Sequence, residues 1–90
     1  MIIYIATRRE TGMSYIGKTT KSLAKRKSDH RYEAFKRQHK NAFHTALRTH
    51  GMEAFDWKII AQPTSNLKKY EQYWIRFYNT VNNGYNTQYR

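Results

Sequence analysis

Arg26 and His30 lie four residues apart in a stretch that reads as helix, so their side chains share a face. Leu23, His30 and Ala34 form the apolar stripe that should face a sheet, with Arg26 beside it. Just upstream, Tyr15-Ile16-Gly17 has the composition of a strand end. A basic pair above a strand end is suited to hold an anionic ligand over the sheet. Glu71 is the complementary feature. It falls between Leu67, Trp74 and Tyr78 on the apolar stripe of a later helix. A carboxylate in that position is costly unless a partner satisfies it. A hard divalent cation would do so, because Mg²⁺ accepts one or two protein carboxylates and keeps waters beside a phosphate.

The elements that must position these groups can be read from the chain. Ile2 to Ala6 is a β-branched and aromatic run, hence a strand, and Ser14 to Gly17 is its partner in a hairpin turned at Arg9 to Gly12. Gly17 marks a place where only bare backbone fits. Ser22 is the N-cap of a helix expected to run to Gln38, with a second stripe of Ala24, Tyr32 and Phe35. A shorter helix presents Ala42, Phe43, Ala46 and Leu47 and stops at Gly51. Phe55 to Ile60 alternates as a third strand. The last helix spans Leu67 to Tyr78, with Leu67, Tyr70, Trp74, Phe77 and Tyr78 on one face, and Asn79 to Arg90 reads as loop.

Ninety residues make a single domain, 1–90, with a modest core. No cysteine is present, so disulfides and thiolate metal sites are excluded. No apolar run approaches the ~20 residues of a membrane span, and no signal peptide pattern is visible. A cytoplasmic protein is expected. Seventeen Lys and Arg against six Asp and Glu give a net charge of +11. Such a surplus points to a polyanionic partner, of which nucleic acid is the commonest. Lys25, Lys27, Arg31, Lys36 and Arg37 on the first helix, with Lys18 before it, are the candidate phosphate contacts. His39, His44 and His50 are not spaced as a common zinc ligand set.

Taken together, these residues resemble the GIY-YIG nuclease family, above all the catalytic domains of phage-type homing endonucleases. Ile2-Ile3-Tyr4 and Tyr15-Ile16-Gly17 match the two short motifs of the family's opening hairpin. Arg26 and His30 match its helical arginine and the histidine that follows. Glu71, three residues before Trp74, matches its metal-binding glutamate, and Asn83-Gly84-Tyr85-Asn86 its closing segment, with Asn86 the functional asparagine. Ile2 departs from the motif, which has Gly there; the change bears on strand packing rather than chemistry. The resemblance implies an α+β fold, a three-stranded antiparallel sheet flanked by three helices.

It also implies a magnesium-dependent DNA endonuclease. Phosphodiester hydrolysis needs an activated water, stabilised charge on the phosphate and help for the leaving oxygen. Glu71 is expected to bind one Mg²⁺ or Mn²⁺ ion, and Arg26 to fork onto the scissile phosphate. Tyr4 is the candidate general base, with Tyr15 sharing that role or orienting the water. His30 positions a tyrosine or touches the phosphate, and Asn86 fixes the tail over the site. Products would carry 5′-phosphate and 3′-hydroxyl ends. Related homing enzymes carry a separate DNA-binding region, so a partner protein or a DNA structure is expected to supply targeting. A free monomer with low intrinsic specificity is expected. The competing reading is a non-catalytic basic nucleic-acid-binding module. Each residue alone has an ordinary account (strand aromatic, surface charge, turn asparagine), and it is their joint order that favours the nuclease.

Overall fold

The computed structural model describes residues 1–87; the end of the expected loop and of the 1–90 domain span lies outside the described residues. The order of elements is β1 (Ile2–Arg8), β2 (Ser14–Thr19), α1 (Leu23–Phe35), α2 (Ala42–His50), a 3₁₀ turn (Met52–Ala54), β3 (Phe55–Ala61) and α3 (Leu67–Tyr78). The strands form one antiparallel sheet in the order β2-β1-β3, flanked by the three helices. None of the helices among the described residues is long and apolar enough to cross a membrane.

β1 is the central strand, and its alternation serves two cores. Ile3 and Ile5 point to one face and pack with Ile16 of β2 and Ile75 of α3. Ala6 points to the other, where Ala34 of α1 and Phe43, Ala46 and Leu47 of α2 cover it with Phe55. Tyr4 shares that second face and is fully buried. The helices α1 and α2 therefore lie on one side of the sheet and α3 on the other. β2 runs through Gly17 to Thr19 rather than ending at the glycine. A Cβ at residue 17 would fall on the Tyr4 hydroxyl, so the glycine makes room for that ring across the hairpin.

Ser22 caps α1 by accepting from the Lys25 amide at 3.1 Å. The helix ends at Phe35, three residues short of Gln38. Lys36 and Arg37 both donate to the Tyr32 carbonyl, and Gln38 takes a left-handed φ of 53° that turns the chain toward α2. Arg48 of α2 donates to the Ala34 carbonyl at 3.0 Å and so ties the end of α1 to its neighbour. Asn41 caps α2 through the His44 amide at 2.9 Å, and Gly51, with φ 87°, stops it.

Of two apolar stripes read from the sequence, the second stripe of α1 is exposed and that of α3 is partly buried only at Leu67 and Trp74. Tyr32 and Phe35 of α1 face solvent, and so do Tyr70, Phe77 and Tyr78 of α3. The sheet takes the neighbouring face of α3, where Glu71 and Ile75 are the buried residues and Leu67 and Trp74 pack beside them. A short helix against a three-stranded sheet buries only a narrow stripe, and the isoleucines of β1 and β2 select the one carrying Ile75.

Candidate active site

The site lies at the outer edge of β2, where the layers above and below the sheet both reach the same strand. An edge strand leaves backbone groups unpaired. The tail after α3 supplies partners for them. Asn86 Oδ1 accepts from the Ile16 amide at 2.8 Å, and its Nδ2 donates to the Ile16 carbonyl at 2.9 Å. The Tyr85 amide donates to the Ser14 carbonyl at 2.8 Å. Gly84 permits this approach, because a Cβ there would strike the backbone of Ser14 and Thr80. Asn86 thus straps the tail to β2, with both polar atoms of its amide engaged.

Above the sheet, the Tyr4 hydroxyl lies 2.6 Å from His30 Nε2, with both side chains sealed from solvent. Burial pushes the Tyr4 phenol well above its ordinary pKa, and the neighbouring Tyr15 adds to this, while Arg26 opposes it. Burial, with the charge of Arg26, lowers the His30 pKa from 6.5 to about 3, so this imidazole is neutral at pH 7. Tyr15 stacks flat on Phe43, ring centroids 4.2 Å apart, and its side chain lines the cleft.

The cleft itself has a volume of ≈ 320 Å³, within the ~300–1,000 Å³ range of ligand sites. Tyr15, Lys18, Arg26, Glu71 and Asn86 line it, joined by Asn41, His44, Tyr85 and Thr87. Tyr4 and His30 stand behind the wall. Glu71 reaches the cleft from α3 below the sheet and Arg26 from α1 above it. The Glu71 carboxylate, only 4% exposed, accepts from Lys18 Nζ at 2.9 Å. The buried acid thus has a cationic partner. Its oxygens, facing a polar cleft, are hard donors of the kind a divalent ion takes, and a partly exposed lysine is a counterion that such an ion can replace. Arg26 donates to Glu33 Oε2 at 3.3 Å. Burial works against the Arg26 charge, but Tyr4 and Glu33 hold its pKa above the ordinary value.

The sequence did not mark Glu33, and it set His44 aside as a zinc ligand together with His39 and His50. Glu33 Oε1 lies 3.1 Å from His44 Nε2 and 3.7 Å from His30 Nδ1, and the two imidazoles are 3.0 Å apart. Among the described residues, His30, Glu33 and His44 are grouped tightly enough to hold a metal ion. Glu33 had one available signal, an acid three residues after His30 in a basic helix. His44 had none, because only the turn between α1 and α2 brings it to His30.

The expected phosphate contacts spread over several surfaces. Lys18 lines the cleft. Lys25 is exposed and pairs with Asp29 at 2.9 Å. Lys27 and Arg31 lie on the opposite flank of α1 in a groove with Met52 and Phe55, where Lys27 sits over the Trp57 ring. Lys36 and Arg37 are exposed beyond the end of α1.

A sheet edge that gathers an arginine, a tyrosine, a lysine and a buried carboxylate around one cleft is the arrangement of a nuclease catalytic domain. The family model of the GIY-YIG catalytic domain matches residues 1–86, and the chain belongs to that family. No curated protein sequence matches the chain. Two solved structures are similar to it. The catalytic domain of homing endonuclease I-TevI has a TM-score of 0.81 at 24% identity, covering 96% of this chain and 96% of that one. A point mutant of the catalytic domain of intron endonuclease I-TevI has a TM-score of 0.80 at 23% identity, covering 98% of this chain and 93% of that one.

Proposed function

We propose that this nuclease is a metal-dependent DNA endonuclease that leaves 5′-phosphate and 3′-hydroxyl ends. The observation that carries the reading is the meeting of Arg26 and Glu71, from helices on opposite faces of the sheet, in one cleft beside Tyr15 and Lys18. Glu71 would hold one Mg²⁺ or Mn²⁺ ion, which supplies charge neutralisation for the phosphate and the leaving oxygen. Lys18 leaves the carboxylate and turns to a phosphate oxygen. Arg26 exchanges Glu33 for the scissile phosphate, where its planar fork matches two oxygens.

Tyr15, on the cleft wall, orients the attacking water. The Tyr4–His30 pair stands behind it: neutral His30 accepts the hydrogen bond of the Tyr4 hydroxyl, which leaves the lone pairs of the phenol oxygen to accept a hydrogen bond from the water side. Asn86 keeps the tail over β2 and so maintains the cleft wall. Lys18, Lys25, Lys27, Arg31, Lys36 and Arg37 are proposed to contact DNA phosphates. Such contacts position the duplex without reading it, so the intrinsic specificity is low and a partner protein or a DNA structure supplies targeting. The domain acts in the cytoplasm and is monomeric when free.

The deciding experiment is nicking of supercoiled plasmid by the purified chain with Mg²⁺, with Mn²⁺ and with chelator. Cleavage that requires the ion and is lost in Glu71→Gln is the expected result. Salt-sensitive DNA binding without cleavage under all three conditions would make the chain a non-catalytic binding module.

A further inference from the structure

His44 meets Asn41 through Nδ1 and both His30 and Glu33 through Nε2. Asn41 Oδ1 already accepts the His44 amide hydrogen, so its 2.8 Å contact with His44 Nδ1 is donated by the imidazole. A neutral His44 then presents a lone pair at Nε2. That lone pair faces His30 Nδ1 at 3.0 Å and Glu33 Oε1 at 3.1 Å. If His30 donates there from Nδ1, Glu33 Oε1 is left 3.1 Å from a lone pair and too far, at 3.7 Å, to share the hydrogen. Two acceptors do not face one another at that distance without a proton or a cation between them. All three ligand atoms lie within 4.8 Å of one another, so one cation between them can meet both lone pairs and the carboxylate at once.

We infer that His30 Nδ1, His44 Nε2 and Glu33 Oε1 form a second metal site, distinct from Glu71, that takes a borderline divalent transition ion such as Zn²⁺. The three separations are 3.0, 3.1 and 3.7 Å. A tetrahedral zinc with bonds of about 2.0–2.1 Å spaces its ligands by about 3.3–3.4 Å, so little movement is needed. Two imidazoles and one carboxylate are a donor set that zinc accepts with an open fourth position. His30 is fully buried and held by Tyr4, and His44 is oriented by Asn41, the outer-shell support that metal-binding histidines have. Hard Mg²⁺ disfavours this nitrogen-rich set, so the two sites select different ions. Arg26, on the other oxygen of Glu33, is an adjacent cation and sets an upper limit to affinity.

Occupation has a consequence that rests on the nuclease reading above. Zinc at Nδ1 places the His30 hydrogen on Nε2, where it donates to Tyr4 and can no longer accept from it. The second site is therefore inhibitory.

The test titrates Co²⁺, as a visible probe, into tag-free protein held in excess Mg²⁺, followed by competition with Zn²⁺. One equivalent of Co²⁺ should give the intense absorption of a four-coordinate ion, and Zn²⁺ should remove it. Glu33→Gln and His44→Asn should each weaken binding at least tenfold, and Glu71→Gln should leave it intact. Glu33 is partly exposed, so Glu33→Gln decides the matter should His44→Asn fail to fold by circular dichroism. Absent bands, unchanged affinity in Glu33→Gln, or loss in Glu71→Gln would each overturn the second site. In parallel, low Zn²⁺ should suppress Mg²⁺-dependent nicking by the wild type and not by a folded Glu33→Gln that retains activity. If no nicking occurs at all, the nuclease reading fails while the Co²⁺ spectrum still judges the site.

Discussion

Lys18 Nζ stands 2.9 Å from Glu71 Oε1 and bridges β2 to α3 across the floor of the cleft. Glu71 is therefore not the lone buried charge that its place on an apolar stripe implies. Removing it leaves a partly exposed ammonium without its partner. Glu71→Gln should abolish cleavage, leave DNA affinity within a few fold, and cost about 1–2 kcal/mol of stability, below the ~3–5 kcal/mol of a fully buried pair because Lys18 reaches solvent. Urea unfolding and plasmid nicking on the same preparation check both halves. Full activity would remove the metal role from this residue.

Arg26→Lys keeps the charge and loses the fork. Single-turnover cleavage should slow by about 10²-fold, the scale of losing one transition-state donor. The fold should persist, since Lys can still reach Glu33. A rate near wild type would reduce Arg26 to general positive charge.

Tyr4→Phe deletes one hydroxyl from a buried pair. His30 Nε2 then has lost its 2.6 Å partner, and a buried group left unsatisfied costs about 1–3 kcal/mol. Cleavage should fall together with stability. Tyr15→Phe keeps the ring on Phe43, so it should slow cleavage with a smaller loss of stability. Comparing single-turnover rates at a temperature where both variants are fully folded separates the effects. If Tyr4→Phe then cleaves at the wild-type rate, the buried pair takes no part in the chemistry.

Acid should weaken the metal-free fold through its histidines. The folded-state pKa of His30, about 3, lies below the ordinary 6.5, so the unfolded chain binds more protons between those values. Stability is complete above about pH 6.5 and falls as pH drops toward 3, by up to about 1.4 kcal/mol per unit for this group. His44 is shifted in the same direction. Asp29, held down to about 2 by Lys25 and Lys21, loses its contribution only in stronger acid. Urea midpoints in chelator from pH 7.5 to 4.5 should fall steadily, and a flat series would contradict the burial of His30.

Asn86→Ala removes both bonds to Ile16 from the edge of β2. A loss of about 2–3 kcal/mol is expected from two buried backbone groups left without partners. Proteolysis should then open the tail first, with activity falling as the cleft loses its wall. Equal protease resistance in variant and wild type would show that Gly84 and Tyr85 hold the tail unaided.

The sequence by itself determined the elements and most of the residues that line or back the cleft. Ser22 caps its helix, Gly51 stops another, and the β-branched runs form the strands, because each of these signals acts within a few residues. The pairing of Arg26 with His30 on one face followed from helical spacing alone. Which stripe of α3 would be buried was not legible. Tyr70, Phe77 and Trp74 outweigh Ile75 in apolar surface, yet the isoleucines of β1 and β2 offer a site only on the Ile75 side, and that choice belongs to the sheet. The partners of the charged groups were equally hidden. Lys18 and Glu71 are far apart in the chain, and His44 reaches His30 only because Gln38 adopts a left-handed turn and Arg48 ties α2 to the end of α1. Local chemistry specifies where a side chain points along its own element; which charge or lone pair it meets is decided when separate elements pack.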